Sequence, residues 1–463
     1  MTVDGSTQSD ALSPDTSGST SKAPQVSART ILALALPALG VLAANPLYLL
    51  LDTAVVGRLG TAELAALAAG TTIQSTVTTQ LTFLSYGTTA RSSRLFGAGK
   101  RNEAVAEGVQ ATWVAVLVGL ALATIIWLFA EPIAFALTND HATAAEAARW
   151  MHVAAIAIPL TLIIMAGNGW MRGIQNTRLP FLLTLYGLIP GAIALPILVN
   201  RIGLVGSAVS NVVGMGITAV LFLVVLAREH TGGWAPRWGV MRDQLVLGRD
   251  LILRSLSFQI SFLAAAGVAG RFGVATLAAH QILLQLWNFL TLVLDSMAIA
   301  AQTLTGSSLG KGHVAEARSV GAQTTRFSVG FGVVLAALFV LFDAPLQSIF
   351  TSDPAVLDAL AIPWWLLIGM ILVGGVVFAL DGVLLGASDA AYLRNLTIAS
   401  VLGAFLPLTL LSVAFGWGLT GIWAGHLASV VLRLVGVVYR FRGDAWAQTG
   451  ARAATAKAKR RNA

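Results

Sequence analysis

From Ile31 to Tyr439, apolar segments about twenty residues long alternate with short polar breaks. Each is long enough to cross the ~30 Å hydrocarbon core of a bilayer as a helix. The pattern predicts an all-α integral membrane protein with twelve spans, near residues 31–56, 64–89, 104–130, 149–170, 178–199, 204–227, 249–269, 276–307, 320–342, 361–385, 395–415 and 418–439. Segments this long and continuous exclude the alternating strands of an outer-membrane barrel. Residues 1–28 are rich in Ser, Thr and Asp and lack an apolar stretch, so they read as a disordered cytosolic tail rather than a signal peptide. The divisions that follow are an N-terminal bundle over 29–230, a cytosolic linker over 231–247, a C-terminal bundle over 248–441 and a basic cytosolic tail over 442–463.

Composition removes the soluble alternative. Only 11% of the 463 residues are charged and 56% are apolar, where a soluble domain carries about 25% charged residues. The absence of cysteine excludes disulfides, thiol catalysis and thiolate metal sites. The net charge of +8 is explained by topology. With the N-terminus inside, 25 of the 29 Lys and Arg fall in or beside cytosolic segments, leaving Arg58, Arg149, Arg201 and Arg271 opposite. That bias places both termini in the cytosol. The opposite loops carry Glu131, Asp140, Asp343, Asp353 and Asp358. No nucleic-acid partner is needed, and the run Lys457, Lys459, Arg460, Arg461 reads as a lipid-facing or solvated tail.

An internal repeat carries the most information. Gly57-Arg58-Leu59-Gly60 realigns on Gly270-Arg271-Phe272-Gly273 at an offset of 213. In the same register Gly97 falls on Gly310, Gly99 on Gly312, Glu103 on Glu316 and Gly173 on Gly386. Six spans per copy is an even number, so both copies enter the membrane the same way round. They are then related by a pseudo-two-fold axis along the membrane normal, as in carriers whose two halves rock around a central cavity. The 46 glycines permit close helix contact.

The stretch Pro46 to Gly60, with Asp52 inside it, resembles the first-helix signature of multidrug and toxic compound extrusion (MATE) transporters, and their DNA-damage-inducible protein F (DinF) branch in particular. Further matches are Arg172-Gly173-Ile174-Gln175-Asn176-Thr177-Arg178-Leu179-Pro180, Ala278-Ala279-His280-Gln281, Leu294-Asp295, Gly310-Lys311-Gly312 and Leu380-Asp381-Gly382 through Gly386. The resemblance covers about residues 29–440. It implies two six-helix bundles forming a V in the cell's inner (plasma) membrane. It also implies export of organic, often cationic, compounds in exchange for H⁺ or Na⁺, with no other cofactor.

Charge inside hydrocarbon costs at least ~2.5–3.5 kcal/mol, so intramembrane acids are candidates for ion coupling. Three sit well inside the spans: Asp52, Asp295 and Asp381. Asp52 shares a helical face with Tyr48 and Asn45, a stripe facing the N-terminal bundle; the alternative is a carboxylate merely bonded to a neighbouring helix. The 213 offset puts Asp381 on Asn168, giving one repeat an acid where the other has an amide. Asp381 is otherwise a helix-end residue paired with Arg394 or Asn395. Asp295, above Gln285 and Asn288, serves either coupling or a structural bond to a group such as Gln259. Sodium-binding relatives add an Asn-x-x-x-Asp pair where this chain has Pro190 and Ala194, which tilts the coupling ion toward H⁺.

The cargo cavity calls for adaptable aromatic, Met and amide groups. Tyr86, Phe83, Gln74, Phe258, Gln259, Gln281, Trp287, Phe289 and Met297 are the candidates, each with ordinary packing as its alternative. Trp364, Trp365, Trp417 and Trp423 fall near interfaces and read as an aromatic belt. His152 and His280 read as structural. Pro37 is a candidate hinge in the first span.

No Walker A loop, nucleophile elbow, His/Glu metal pair or Asp-rich diphosphate motif appears, so an ATP-driven pump or a membrane enzyme is the weaker class. The nearer rival is a lipid-linked oligosaccharide or other lipid flippase of the same superfamily. Such proteins favour basic cavities, whereas Arg and Lys look nearly absent from these spans, which favours a neutral or cationic cargo. A monomer working on small organic substrates within the lipid bilayer is the resulting expectation.

Overall fold

A computed structural model describes residues 27–449, so the expected tails fall largely outside the described residues. The first half comprises α1 (Ala28–Val56), α2 (Thr61–Leu81), α3 (Phe83–Gly97), α4 (Arg101–Leu128), α5 (Ala130–Thr138), α6 (His141–Ala154), α7 (Ala157–Gly173), α8 (Arg178–Ile202) and α9 (Leu204–Glu229). The second comprises α10 (Trp238–Arg271), α11 (Val274–Gly310), α12 (Val314–Leu341), α13 (Asp343–Phe350), α14 (Pro354–Gly386), α15 (Ala390–Ser400), α16 (Leu406–Phe415) and α17 (Gly418–Arg442). A π-turn at Val401–Phe405 joins α15 to α16. Ten helical segments are individually long and apolar enough to span a membrane, counting the α15–α16 unit as one. The bent pair α6–α7 makes an eleventh, and α2–α3, which the 213 offset places on the span α11, is the twelfth.

The repeat reappears as geometry. Shifting α2 through α7 by 213 reproduces the bounds of α11, α12 and α14 to the residue. The loops follow: Gly99 and Gly312 both take positive φ, 76° and 81°, and so do Gln175 and Ser388, 63° and 61°. Asp140 caps α6 through the Thr143 amide at 2.8 Å, and its twin Asp353 caps α14 through the Ala355 amide at 2.9 Å. The Thr143 hydroxyl and amide hold the Asp140 carboxyl below the ordinary carboxylate range.

The copies differ where one helix breaks and its twin does not. The second predicted span is interrupted at Thr82, and the fourth bends by 43° between α6 and α7. Their counterparts α11 and α14 run unbroken. Much of the expected linker is helix: α10 begins at Trp238 and runs straight into the seventh span. The aromatic belt also needs correcting. Trp365 and Trp417 are exposed, but Trp364 and Trp423 are fully buried inside the C-terminal bundle.

The halves meet at the end carrying the Lys/Arg-rich loops. There α3 and α11 approach so closely that a Cβ on Gly97 would strike the Ser307 carbonyl, and one on Gly310 the Arg94 carbonyl. Arg94 reaches across to the last carbonyls of α14, donating to Ala387 O at 2.8 Å and Gly386 O at 3.3 Å. A cation there also suits the negative end of the helix dipole.

Two further seams flank this contact at equivalent positions, with opposite chemistry. On one side, α1 packs Ile31, Leu34 and Ala35 against Met297, Ala300, Leu304 and Val320. On the other, α10 brings Gln244 to Glu107 at 3.1 Å, and Arg91 forks onto the same carboxylate at 2.7 and 2.9 Å. At the 213 offset Gln244, Arg91 and Glu107 are the counterparts of Ile31, Leu304 and Val320. Met297, a candidate cargo residue from the sequence, is therefore a packing residue of the apolar seam.

Glu107→Ala leaves Arg91 and Gln244 without their shared acceptor, which costs about 1–3 kcal/mol. Thermal unfolding of the detergent-solubilised variant should show a midpoint several degrees below wild type. An unchanged midpoint would mean that the polar seam contributes nothing.

Candidate functional site: a cleft between the two bundles

Two cavities lie between the bundles and share Thr79, Thr82, Tyr86 and Leu292 as a common wall. The N-terminal half of this cleft encloses about 350 Å³ and the C-terminal half about 330 Å³. Both fall within the range of pockets that take a small organic ligand.

In the N-terminal half, α1 and α9 face each other with matched polar groups. The Tyr48 hydroxyl and Ser210 Oγ lie 2.5 Å apart, and Ser207 Oγ donates to Asp52 Oδ2 at 2.8 Å. Trp150 Nε1 donates to the same Ser207 oxygen at 3.2 Å. Asp52 is 2% exposed, its Oδ1 has no partner, and no Lys or Arg pairs with it among the described residues. It lies one turn beyond Tyr48, behind the cavity wall, while Asn45, Tyr48, Gln74 and Asn168 line the cavity itself. The expected stripe is thus real, but Asn45 and Asp52 sit at its two ends rather than in one cage.

Ser207, Ser210 and Asn211 escaped the sequence reading. Their signal was a polar i, i+3, i+4 face in the otherwise apolar sixth span. Asn168 and Asn211 each leave a buried Oδ1 without a hydrogen bond.

The C-terminal half is built around charge. Asp381 on α14 is 3% exposed, and its Oδ2 accepts from both Arg254 on α10 and Arg433 on α17. Phe258 lies under the two guanidiniums, 5.7 Å from Arg254 and 4.7 Å from Arg433. The expected partner Arg394 bonds Asp250 at 2.5 Å and its neighbour Asn395 instead. Asp295 is likewise re-partnered. It accepts from the Tyr86 hydroxyl, across the boundary between bundles, while Gln259 accepts from Gln80 at 2.8 Å. Both bonds tie the two bundles together near mid-span.

Of the cargo candidates, Tyr86, Gln74, Phe258 and Trp287 line the cleft. Gln259, Gln281, Met297, Phe83 and Phe289 do not: Gln281 and Phe289 are exposed, and Phe83 is buried core. His280 accepts from Trp423 at 3.3 Å and His152 lies 3.1 Å from the Trp127 carbonyl, as structural histidines would. Pro37 and Pro46 both lie within α1, which continues through them, and Pro46 lines the cleft.

One premise fails outright. By position Arg172, Arg254 and Arg433 count as ends beside cytosolic loops, which leaves the spans nearly free of cations. All three line the cleft, and Arg172 is 4% exposed with a single bond, to Ser85 Oγ at 3.3 Å. Helix length hid Arg254 and Arg433, which α10 and α17 carry inward from the loop end, whereas Arg172 sits at the buried C-terminal end of α7.

Two copies of one family model, MatE, match residues 37–197 and 251–411. The chain belongs to the MatE family. The two matches are themselves offset by 214 residues, close to the 213 of the repeat. Members of this family are multidrug and toxic compound efflux transporters, not enzymes. The chain is 30% identical over 428 residues to Protein DETOXIFICATION 44, chloroplastic, of Arabidopsis thaliana, covering 89% of this chain and 81% of that protein. It is 27% identical over 413 residues to DNA damage-inducible protein F of Escherichia coli strain K12, with 86% and 89% covered. In fold it is similar to a MOP superfamily transporter from Pyrococcus furiosus, with a TM-score of 0.81 at 19% identity over 91% and 97% of the two chains. The protein is a multi-pass membrane transporter of the two-bundle, twelve-helix MATE type.

Ser207→Ala takes the one donor from Asp52 and strands Trp150 Nε1, at a cost of about 1–3 kcal/mol. Thermal unfolding should show the loss, and Ser207→Thr should recover most of it. Equal midpoints for the Ala variant and wild type would remove Ser207 from the site.

Proposed function

We propose that the protein exports amphipathic organic compounds across the cell's inner membrane in exchange for H⁺, alternating the access of the central cleft. The observation that carries the coupling ion is Asp52. It is a buried carboxyl whose one donor is a serine hydroxyl, and an acid so placed needs either a proton or a metal cation beside it. A sodium shell calls for several converging oxygens, and the helix positions that supply them in sodium-binding relatives are Pro190 and Ala194 here. Tyr48 lines the cavity one turn before Asp52 on α1, so a change at the acid reaches the cargo through that helix. Pro37 and Pro46 each delete a backbone hydrogen bond there, which gives α1 two places to bend.

The seams close the end that the charge count puts in the cytosol, which supports an outward-open arrangement of the cleft. Release on that side, followed by reclosure around a different proton occupancy, completes the exchange. The protein works as a monomer, with lipid as its only other partner. A cationic cargo had rested on spans free of Arg, and the three guanidiniums in the cleft remove that ground.

Asp52→Asn in proteoliposomes should abolish efflux driven by an imposed pH gradient while leaving the unfolding midpoint within a degree or so of wild type. A Na⁺ gradient should drive neither protein. Wild-type rates in the variant would take Asp52 out of the mechanism, and Na⁺-driven efflux would overturn the assignment of the ion. Pro37→Ala should slow efflux without lowering the midpoint; an unchanged rate would exclude a hinge at that residue.

A further inference from the structure

The cleft contains more cationic donor capacity than its own carboxylates can absorb: Arg254 and Arg433 stand against Asp295 and Asp381 in the C-terminal half, and Arg172 adds a third guanidinium from the adjoining N-terminal half. A guanidinium carries five N–H donors. Among the described residues, Arg254 and Arg433 each make one hydrogen bond, and both go to the same oxygen of Asp381. Arg254 Nε is buried with no acceptor. Arg172, across the Tyr86 wall, spends one donor on Ser85 and has no ion pair. The cleft therefore carries three guanidiniums against Asp381 and Asp295, one formal positive charge in excess. Buried donors without acceptors are costly, and charged ones more so.

We propose that the C-terminal half of the cleft, with Arg172 across the Tyr86 wall, binds the anionic group of an amphipathic cargo, a carboxylate, sulfonate or phosphate attached to an apolar body. Planar guanidiniums match such oxyanions in fork geometry, and burial strengthens each bond. Phe258, Trp287, Phe378 and Met370 line the same half and offer aromatic and thioether surface for the apolar part. Asp381 is then a resident counter-ion. It keeps Arg254 and Arg433 paired when no cargo is present and shares them when the cargo anion arrives. The twin position in the other half is the neutral Asn168, where no such pair of cations needs holding.

The inference rests on the export reading above, so binding is measured separately from transport. Equilibrium binding of carboxyfluorescein and of ethidium to the detergent-solubilised full chain is read by fluorescence anisotropy, beside efflux of each dye from proteoliposomes. Carboxyfluorescein should bind, and Arg172→Gln should lower its affinity relative to ethidium roughly tenfold, the effect of one lost charge-assisted bond. Arg254→Lys keeps the charge but loses the fork. It should weaken carboxyfluorescein binding by a smaller factor and guards against misfolding of a neutral variant. A short-chain fluorescent phosphatidic acid distinguishes the sources. Competition with carboxyfluorescein assigns the anion to a lipid head group, and its failure assigns it to a soluble organic acid. Ethidium binding with no carboxyfluorescein binding would overturn the site, as would unchanged selectivity in both variants. Anion binding without transport of either dye would leave the site standing and refute the export reading.

Discussion

The two halves are held together where there is least side chain. Helices α3 and α11 meet at Gly97 and Gly310, where neither backbone leaves room for a Cβ on the other. Lipid tails are as apolar as leucine, so burying oily side chains gains little in a bilayer. Packing of small residues and internal hydrogen bonds must hold the helices instead. The Arg94 clamp on the end of α14 works within that contact, because its carbonyl acceptors are freed by the helix ending there. Beyond this junction, toward the opposite membrane face, the Tyr86–Asp295 and Gln80–Gln259 bonds cross between the bundles near mid-span, and the cleft occupies the space around them.

Duplication alone would make the two flanking seams alike. They are not. One is Ile31 on Leu304 and Val320, an apolar contact insensitive to charge; the other is Gln244 on an Arg91–Glu107 fork. The same divergence recurs at the cleft, where Asn168 faces Asp381 in register and Asp52 has no acidic counterpart at Ala265. A pseudo-symmetric frame thus supplies a cavity between the halves, while the departures from symmetry give its two walls different chemistry. The N-terminal bundle holds Asp52 without a cationic partner among the described residues, and the C-terminal bundle holds Asp381 between two guanidiniums.

The architecture was legible because it rests on periodicity and repetition, which the chain displays openly. Twelve spans, two halves and the glycine pairs of the junction all follow from apolar run length and one fixed offset. Asp52, Tyr48 and Asp381 were found because ionisable groups inside long apolar runs are conspicuous. Their partners were not. Tyr86 with Asp295 and Arg254 with Asp381 are separated by 209 and 127 residues, and no helical spacing connects them. The cleft arginines misled for a different reason: linear position near a loop says how far along a helix a residue lies, not whether that helix end is buried against a neighbour. Trp364 and Trp423 failed the same way, because an interfacial tryptophan and a core tryptophan read alike along the chain.

Rocking of two rigid bundles about the glycine junction is the claim on which transport, coupling and cargo binding all depend. The chain has no cysteine, so spin labels can be placed by substitution alone. Arg58 and Arg271 are twin exposed positions at the end away from the junction, and Lys100 and His313 are twins at the junction end. The decisive measurement is the pair of inter-label distances in proteoliposomes at low and high pH. Opposite changes, with Arg58–Arg271 shortening as Lys100–His313 lengthens, are what a rocking motion requires. Distances that stay fixed, or that both move in the same direction, would contradict it.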